Sequence, residues 1–383
     1  SLEGPIQVNN SGLVFYCDVS NPNSYRGEPT VNTAGSRYSY VWANGVVVRD
    51  SAGPSIPPPI TGQEIASLRS TDGQETQTIL YTAGVDQVNG GVYTHSAYIY
   101  LVSGTWVSVG QHWNPWDWGI QYFITPGVWT KLSYTLTNSA NNYGAVALSY
   151  NTNGMIYITA SQYEKKSHST PYVSGTRSNT GGLLDLTGNT TLDLTNVKFD
   201  SSSDIDFPIN ASANSYITTN TNCGLTGDQT LSAWIKPTYG TNSPHRTVIC
   251  TDPSYQYGIK LMNYKNNARW GLWVGWGSSN YEAMTGTNIN DNTWKMITGT
   301  WKQSTGVVTL YLNGVYVAQF NTGNTSAISL STGNIRVGIG YEIDFGNGQS
   351  YEGKIGNTAI YNRTLTASEI LKNFNSLRSR YNV

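Results

Sequence analysis

The sequence predicts an all-β protein of two β-sandwich (jelly-roll) modules with one short C-terminal helix. Short strand-like runs recur along its 383 residues. They do not alternate with helices, so the pattern gives no sign of a parallel sheet. Aromatic residues make up 12% of the chain and charged residues only 12%. Because so much aromatic surface favours a packed core, the low charge does not indicate disorder.

The strand-like runs alternate apolar and polar residues and are bounded by Gly, Asn and Pro, as half-buried strands usually are. The clearest runs are residues 12–18 (GLVFYCD), 78–83 (TILYTA), 95–102 (HSAYIYLV), 129–137 (WTKLSYTLT), 229–236 (QTLSAWIK), 269–276 (RWGLWVGW), 293–301 (TWKMITGTW) and 307–312 (VVTLYL). Asn313-Gly314 predicts a hairpin after the last of these. Thr366 and Glu369 form a capping box that predicts a helix over residues 367–378.

Charge and hydropathy argue against two classes of partner. The net charge is −1, so no long-range field attracts nucleic acid. No apolar run is long enough for a membrane helix, so we expect no membrane insertion. The first ten residues lack the pattern of a signal peptide. Of the three cysteines, Cys223 and Cys250 could form a disulfide, or all three could be buried thiols.

The second half of the chain resembles one known family. The matching segments are 231–237 (LSAWIKP), 293–300 (TWKMITGT), 308–317 (VTLYLNGVYV), 335–340 (IRVGIG), 353–366 (GKIGNTAIYNRTLT) and 367–370 (ASEI). Their order is similar to that of a LamG domain of the concanavalin A-like lectin/glucanase superfamily. The resemblance implies a β-sandwich of lectin type.

The first half resembles a different module. Residues 93–108 (YTHSAYIYLVSGTWVS), 127–137 (GVWTKLSYTLT) and 154–173 (GMIYITASQYEKKSHSTPYV) carry the likeness. They are similar, in this order, to the galactose-binding-like jelly roll of many carbohydrate-binding modules. A final strand followed by Gln-Tyr-Glu and Thr-Pro-Tyr is characteristic of that module.

The opening segment suggests that the two modules are nested. Residues 12–27 resemble the first strand of LamG domains in phage virion proteins, where LLDLTGN follows directly; here that segment is 183–189. We therefore expect a discontinuous LamG sandwich (12–27 plus 180–383), an inserted jelly roll (28–179) and an N-terminal arm (1–11), since surface loops tolerate insertions. The alternative is two sequential domains, and pairing of residues 13–17 with strands beyond residue 185 distinguishes the two.

One segment is similar to a catalytic signature. Residues 341–347 (YEIDFGN) resemble the signature of retaining glucanases, with Glu342 in the place of the nucleophile and Asp344 in that of the helper. Such enzymes need a second carboxylate as acid/base, but Asn347 occupies that position, and only Glu352 lies nearby. No other catalytic motif is present, so we expect a protein that is not an enzyme.

The candidate carbohydrate-binding residues lie in one aromatic run, residues 111–119 (QHWNPWDWG). Exposed tryptophan rings can contact the apolar face of a sugar, while polar neighbours bind its hydroxyl groups. Trp113, Trp116 and Trp118 are the candidate platform. His112, Asn114 and Asp117 are the candidate hydrogen-bonding groups. The alternative is that these tryptophans fill the core or an oligomer interface.

A second aromatic run, residues 269–276, is expected to be mainly core. Trp270, Leu272 and Val274 share one face of its strand.

Structural calcium is the one cofactor that the two resemblances imply. Carboxylates near loops are the candidate ligands, because Ca²⁺ prefers six to eight oxygen atoms. They are Asp50 and Glu164 in the jelly roll, and Asp252 and Asp344 in the LamG part.

The resemblances imply a non-enzymatic virion surface, tail-fibre or capsid-decoration protein of a bacteriophage. Its expected partners are host or environmental glycans, other virion proteins and further copies of itself. One alternative is a purely structural capsid or tail assembly protein without a sugar site. Others are a secreted, extracellular glycan-binding protein and a remnant glycoside hydrolase.

Overall fold

The structure is a computed structural model of the whole chain, and it divides into two compact units. Unit 1 is Ser1–Glu28 with Asn179–Val383, and unit 2 is Pro29–Ser178. The residues that the structure describes are 8–34, 38–42, 45–48, 52–70, 76–80, 90–112, 117–137, 143–148, 154–200, 204–207, 215–238, 246–254, 256–264, 269–277, 279–284, 289–331, 333–338 and 351–383. The all-β prediction is confirmed: the described chain is mostly strand and ends in one short α-helix.

Unit 2 contains two five-stranded antiparallel sheets and a two-stranded pair. The strand that precedes them in the chain, β1 (Leu13–Asp18), belongs to unit 1. The strands of unit 2 are β2 (Thr30–Val31), β3 (Tyr38–Trp42), β4 (Gly45–Val48), β5 (Ile65–Ser70), β6 (Thr76–Leu80), β7 (Val92–Ser103), β8 (Val107–His112), β9 (Asp117–Tyr122), β10 (Trp129–Thr137), β11 (Tyr143–Leu148), β12 (Met155–Glu164) and β13 (Thr176–Arg177).

The two sheets of unit 2 enclose its core. One sheet has the order β10-β7-β12-β5-β4 and the other β3-β6-β11-β8-β9, while β2 pairs with β13. Ile99 of β7 and Ile158 of β12 pack with Val107 and Val109 of β8 in a single buried cluster. This places the apolar side chains of the alternating strands between the sheets, as in a β-sandwich.

Unit 1 adds fourteen further described strands and the helix. They are β14 (Leu192–Thr195), β15 (Lys198–Asp200), β16 (Asp204–Phe207), β17 (Tyr216–Thr219), β18 (Gln229–Pro237), β19 (Arg246–Cys250), β20 (Tyr257–Tyr264), β21 (Arg269–Trp276), β22 (Asn280–Met284), β23 (Lys295–Lys302), β24 (Val307–Leu312), β25 (Val315–Asn321), β26 (Arg336–Val337), β27 (Gly353–Tyr361) and α1 (Ala367–Leu377).

These strands form two sheets around a second core. The first has the order β15-β16-β27-β18-β23-β24-β25 with β1 also on β27, and the second has the order β14-β17-β26-β19-β20-β21-β22. Trp270, Leu272 and Val274 of β21 lie in the core cluster, which confirms that this face of residues 269–276 is structural.

Strand β1 lies in a sheet with strands from the far end of the chain. It pairs antiparallel with β27, with Phe15 opposite Ile360 and Asp18 opposite Asn357. The units divide between residues 28 and 29 and between residues 178 and 179. The sequence predicts divisions at 27/28 and 179/180.

Local signals at the C-terminal end of unit 1 are confirmed. Asn313 and Gly314 have φ values of 50° and 80°, which the predicted tight hairpin turn requires. Thr366 and Glu369 form the capping box at the start of α1. A 3-10 turn, Arg378–Tyr381, continues the helix.

The helix and this turn cover the outer face of the eight-stranded sheet. Trp234 of β18 stacks on Phe374 at 5.5 Å and on Tyr381 at 4.3 Å between ring centroids. Within the described residues, no helix is long and apolar enough to cross a membrane.

Candidate functional site

The predicted tryptophan site lies at the β8–β9 hairpin of unit 2. His112 ends β8, Asp117 and Trp118 begin β9, and Gln111 pairs with Asp117. The side chains of His112, Asp117 and Trp118, and the whole of Trp113, Asn114 and Trp116, lie outside the described residues. The assignment of these six residues to sugar binding therefore stays a prediction.

A different aromatic group lies on the described outer face of the same unit. Ala97, Ile99 and Leu101 of β7 point into the core, so Tyr98 and Tyr100 point to the opposite face. The register places Tyr100 opposite Trp129 of β10 and opposite Tyr157 of β12. Trp129, Tyr100 and Tyr157 thus form one row across three neighbouring strands, called here the aromatic row.

The rings of the aromatic row contact one another and remain partly exposed. The centroids of Tyr100 and Trp129 are 5.5 Å apart, and those of Tyr100 and Tyr157 are 6.2 Å apart. The Trp129 indole donates a hydrogen bond of 2.9 Å to the carbonyl oxygen of Ile56, which fixes its orientation. In the part of the chain that the structure describes, the two tyrosine hydroxyls have no hydrogen-bond partner.

A second row of polar groups borders the aromatic row. Tyr98 lies opposite Lys131 of β10 and Thr159 of β12. The Lys131 Nζ donates to the carbonyl oxygen of Thr170 at 2.5 Å. Burial raises the pKa of Tyr98 and lowers that of Lys131, so Tyr98 is a neutral hydroxyl at neutral pH. The outer face therefore combines aromatic rings with hydrogen-bonding groups, the combination that saccharide sites use.

A buried polar network fixes the loop beside this face, and it explains the Gln-Tyr-Glu and Thr-Pro-Tyr segments. The Glu164 carboxylate accepts hydrogen bonds from the hydroxyls of Thr30 and Thr170, the Thr170 amide and the Gln162 side chain, all within 2.9 Å. Arg177 donates to Thr170 Oγ1 at 2.9 Å. This network ties residues 165–175 to β12.

These contacts bear on the calcium prediction. Four hydrogen-bond donors occupy the Glu164 oxygens. The Asp252 carboxylate accepts from the backbone amides of Ser254 and Ser331 at 2.8 and 2.6 Å. These hydrogen bonds stabilise both carboxylates within the fold, and structural calcium at Glu164 and Asp252 stays a prediction.

Asp50 and Asp344, the other two calcium candidates, lie outside the described residues. Across the described ranges, no group of three or more His, Cys, Asp or Glu side chains is placed to hold a metal.

The glucanase-like segment, residues 341–347, lies outside the described residues. Glu352, the nearby carboxylate, is 6% exposed and forms a 2.8 Å ion pair with Arg246. The Glu352 carboxylate is therefore held by an ion pair within unit 1. None of the three cysteines, all of them described residues, forms a disulfide, so the predicted alternative of a Cys223–Cys250 bond is absent from the structure.

The aromatic row was absent from the sequence prediction, although one signal for it exists. Tyr100 and Tyr157 of this row each occupy the polar phase of an alternating strand, between apolar neighbours. An aromatic residue at an outward position indicates a possible contact surface. The pairing of β10, β7 and β12 is what brings these residues together.

Comparison with known proteins finds a similarity to one superfamily in part of unit 1. Residues 211–371 match the model of the concanavalin A-like lectin/glucanases superfamily. No curated protein matches the chain.

Among solved structures, the chain is similar to the binding domain of Paraclostridial Mosquitocidal Protein 1, at 22% identity over 51% of this chain and 49% of that one, with a TM-score of 0.42. The binding domain of Botulinum Neurotoxin DC in complex with SialylT is 17% identical over 52% of this chain and 50% of that one, with a TM-score of 0.41. A pentraxin from Limulus polyphemus is 19% identical over 38% of this chain and 69% of that one, with a TM-score of 0.31.

The chain spans about half the length of the two toxin structures. The family match covers most of the region from β17 to α1. Residues 211–371 of unit 1 are therefore similar to the concanavalin A-like lectin/glucanases superfamily.

Proposed function

We propose that the protein binds carbohydrate without catalysing its cleavage, and that the aromatic row of unit 2 forms the contact surface. The observation that carries the proposal is the alignment of Trp129, Tyr100 and Tyr157 across three strands with partly exposed rings. Such rings offer an apolar surface to the C–H face of a sugar, and the tyrosine hydroxyls can bind its hydroxyl groups. The lectin-type domain in unit 1 supports the same class of ligand.

Two features support a role without catalysis. Asn347 stands where a retaining glucanase needs its acid/base carboxylate. Glu352, the nearest alternative, is held by Arg246. Loss of the second carboxylate removes the proton donor that glycoside cleavage requires.

The proposed location is a phage virion surface, on capsid or tail, with homo-oligomeric assembly and contacts to other virion proteins. The likeness of residues 12–27 and 183–189 to virion LamG segments supports this location, as does the low charge of the chain. Imaging intact particles with an antibody against the protein tests it, and particles without the antigen contradict it.

A glycan array with the wild type, Trp129→Ala and Trp116→Ala tests the binding site. We expect Trp129→Ala to lose at least about tenfold in affinity, equivalent to about 1.4 kcal/mol. Phe123→Ala is the matched control, because Phe123 is an aromatic side chain of unit 2 that is 78% exposed and lies off the row. Thermal unfolding should show that all three variants fold.

The possible outcomes separate the candidates. If Trp116→Ala abolishes binding and Trp129→Ala does not, the contact surface is the predicted β8–β9 site. If the wild type binds no glycan, the structural assembly function replaces the carbohydrate-binding one.

A further inference from the structure

A row of aligned residues crosses the face of the seven-stranded sheet in unit 1 that points away from the core. Ile217, Val337, Ile249 and Leu261 of this sheet point into the core, so their chain neighbours point outward. The register aligns the outward residues across six strands in the order Asp193, Thr218, Arg336, Cys250, Lys260 and Trp273. This row lies outside the aromatic row, on the other unit.

Arg336 in this row is partly buried and has one unsatisfied donor in its guanidinium group. Its Nε is buried and has no hydrogen-bond acceptor. The guanidinium carbon lies 5.3 Å from the centroid of the Tyr216 ring, and no ion pair or hydrogen bond of this group occurs with any residue that the structure describes. Burying a charged donor without an acceptor is unfavourable, so the group is suited to accept an anionic partner from outside.

Thr218 lies directly beside Arg336 on the neighbouring strand. Its Oγ1 is also buried without a hydrogen-bond partner. Two unsatisfied donors on adjacent strands are unusual, because buried polar groups are nearly always paired. Asp193, opposite Thr218 on the other side, forms no ion pair with Arg336 among the described residues.

Lys260, further along the same row, is a cation whose charge has hydrogen-bond partners within the sheet and its loops. Its Nζ donates to the carbonyl oxygens of Ser254 at 2.9 Å and Tyr257 at 2.6 Å, and it lies 4.3 Å from the Trp273 ring centroid. Its positive charge therefore has partners within the fold. The contrast identifies Arg336, and not every cation of the row, as the available group.

We propose that Arg336, Thr218 and Tyr216 form a second binding site, which takes the oxyanion of an acidic saccharide. A guanidinium binds a carboxylate or sulfate through two parallel hydrogen bonds. The Thr218 hydroxyl donates a further bond, and the Tyr216 ring holds the guanidinium plane. Thr195 and Asp193, on the adjacent strand β14, offer oxygen atoms to sugar hydroxyls.

Isothermal titration of the full chain tests the site with three disaccharide probes: one containing glucuronic acid, one carrying sulfate, and neutral lactose. We expect one or both acidic probes to bind and lactose to bind at least about tenfold more weakly, with an affinity that falls as salt rises. Arg336→Gln should weaken acidic-probe binding at least about tenfold. Lys302→Gln, which removes an exposed cation at the end of β23, is the matched control and should bind as the wild type does.

Thr218→Val and thermal unfolding distinguish a binding role from a structural one. Because both donors are unsatisfied in the free protein, Arg336→Gln and Thr218→Val should leave the melting temperature unchanged or raise it while lowering affinity. A lower melting temperature in both variants, or unchanged acidic-probe binding in Arg336→Gln, overturns the proposal. So does a wild type that binds neither acidic probe.

The aromatic row provides the remaining comparison. Trp129→Ala should leave acidic-probe binding at Arg336 unchanged. If Arg336→Gln leaves acidic-probe binding unchanged while Trp129→Ala still weakens glycan binding, this inference is rejected and the proposed function is not.

Discussion

At the residue scale, the Glu164 network shows how one carboxylate stabilises a loop beside the aromatic row. Glu164 is fully buried and accepts hydrogen bonds from Thr30, Thr170 and Gln162. Hydrogen bonds to a buried charge contribute more than those between neutral groups. The residues that look like a motif in the sequence thus act by fixing residues 165–175.

Replacing Glu164 by Gln should lower the free energy of unfolding by about 2 kcal/mol or more, because an amide nitrogen then faces hydrogen-bond donors. Urea denaturation measures the change. Lys165→Gln is the control, since Lys165 is exposed and surface substitutions usually change stability by less than about 0.5 kcal/mol. Equal stability of the two variants would show that the network is dispensable.

Addition of Ca²⁺ in the same denaturation experiment examines the calcium prediction for the whole chain, including Asp50 and Asp344. A ligand that binds only the folded state raises stability as its concentration rises. An increase that Glu164→Gln abolishes would support calcium binding at Glu164, and a wild type without any increase would contradict the calcium prediction.

At the element scale, the start of α1 connects a local sequence signal to pH dependence. Glu369 forms a 2.7 Å ion pair with Arg363 and accepts a 2.8 Å hydrogen bond from the backbone amide of Thr366. The hydrogen bonds from Arg363 and Thr366 lower the pKa of Glu369 from its ordinary 4.5 to about 2. The helix is held on the sheet through Phe374, so its first turn contributes to the stability of unit 1.

The sign of the pH effect follows from the lowered pKa. The folded state releases this proton more readily than the unfolded state, so the contribution is complete above a pH of about 4.5 and is lost as the pH falls towards about 2. We expect Glu369→Gln to be less stable than the wild type at neutral pH, and the difference to shrink in acid. Denaturation curves at several pH values measure it, and a difference that stays constant with pH would reject the assignment.

Packing of the C-terminal 3-10 turn against the sheet explains why residue 356 of β27 is a glycine. A Cβ at Gly356 of β27 would lie 2.2 Å from the Tyr381 hydroxyl oxygen. Tyr381 is 6% exposed and stacks on Trp234. Gly356 is therefore required where the C-terminal turn packs against the sheet.

At the scale of the whole molecule, the chain passes from unit 1 into unit 2 and returns through adjacent strands. Thr30 of β2 pairs with Arg177 of β13. In unit 1, the Arg26 amide donates to the Gly182 carbonyl oxygen at 2.8 Å. The two ends of the segment 29–178 are thus close in space, which is the usual geometry of an inserted domain.

Replacing residues 29–178 by a short Gly-Ser linker should leave a folded unit 1 that unfolds cooperatively, because β1 still pairs with β27. A chain that starts at residue 179 is the comparison. It lacks the buried side chains of Phe15 and Cys17 and exposes the edge of β27, so it should be markedly less stable or insoluble. Calorimetry measures both, and equal stability would argue for two sequential domains.

The sequence by itself determined the structural features that depend only on residues close together along the chain. Strand alternation predicted the sandwich class, Asn313-Gly314 predicted a hairpin, and Thr366 with Glu369 predicted the helix start. Each signal works because the backbone conformation and the periodicity of side chains are local properties. The order of segments between residues 231 and 370 also predicted a LamG-like sandwich, and residues 211–371 match the model of the concanavalin A-like lectin/glucanases superfamily.

Only the tertiary structure decided which outward residues meet. Trp129, Tyr100 and Tyr157 come from strands separated along the chain, and β26, which carries Arg336, is two residues long. Their alignment depends on the order and register of the strands, and a shift of one residue would turn each side chain to the other face. Long-range backbone hydrogen bonds and core packing set that register, so no local pattern specifies either candidate site.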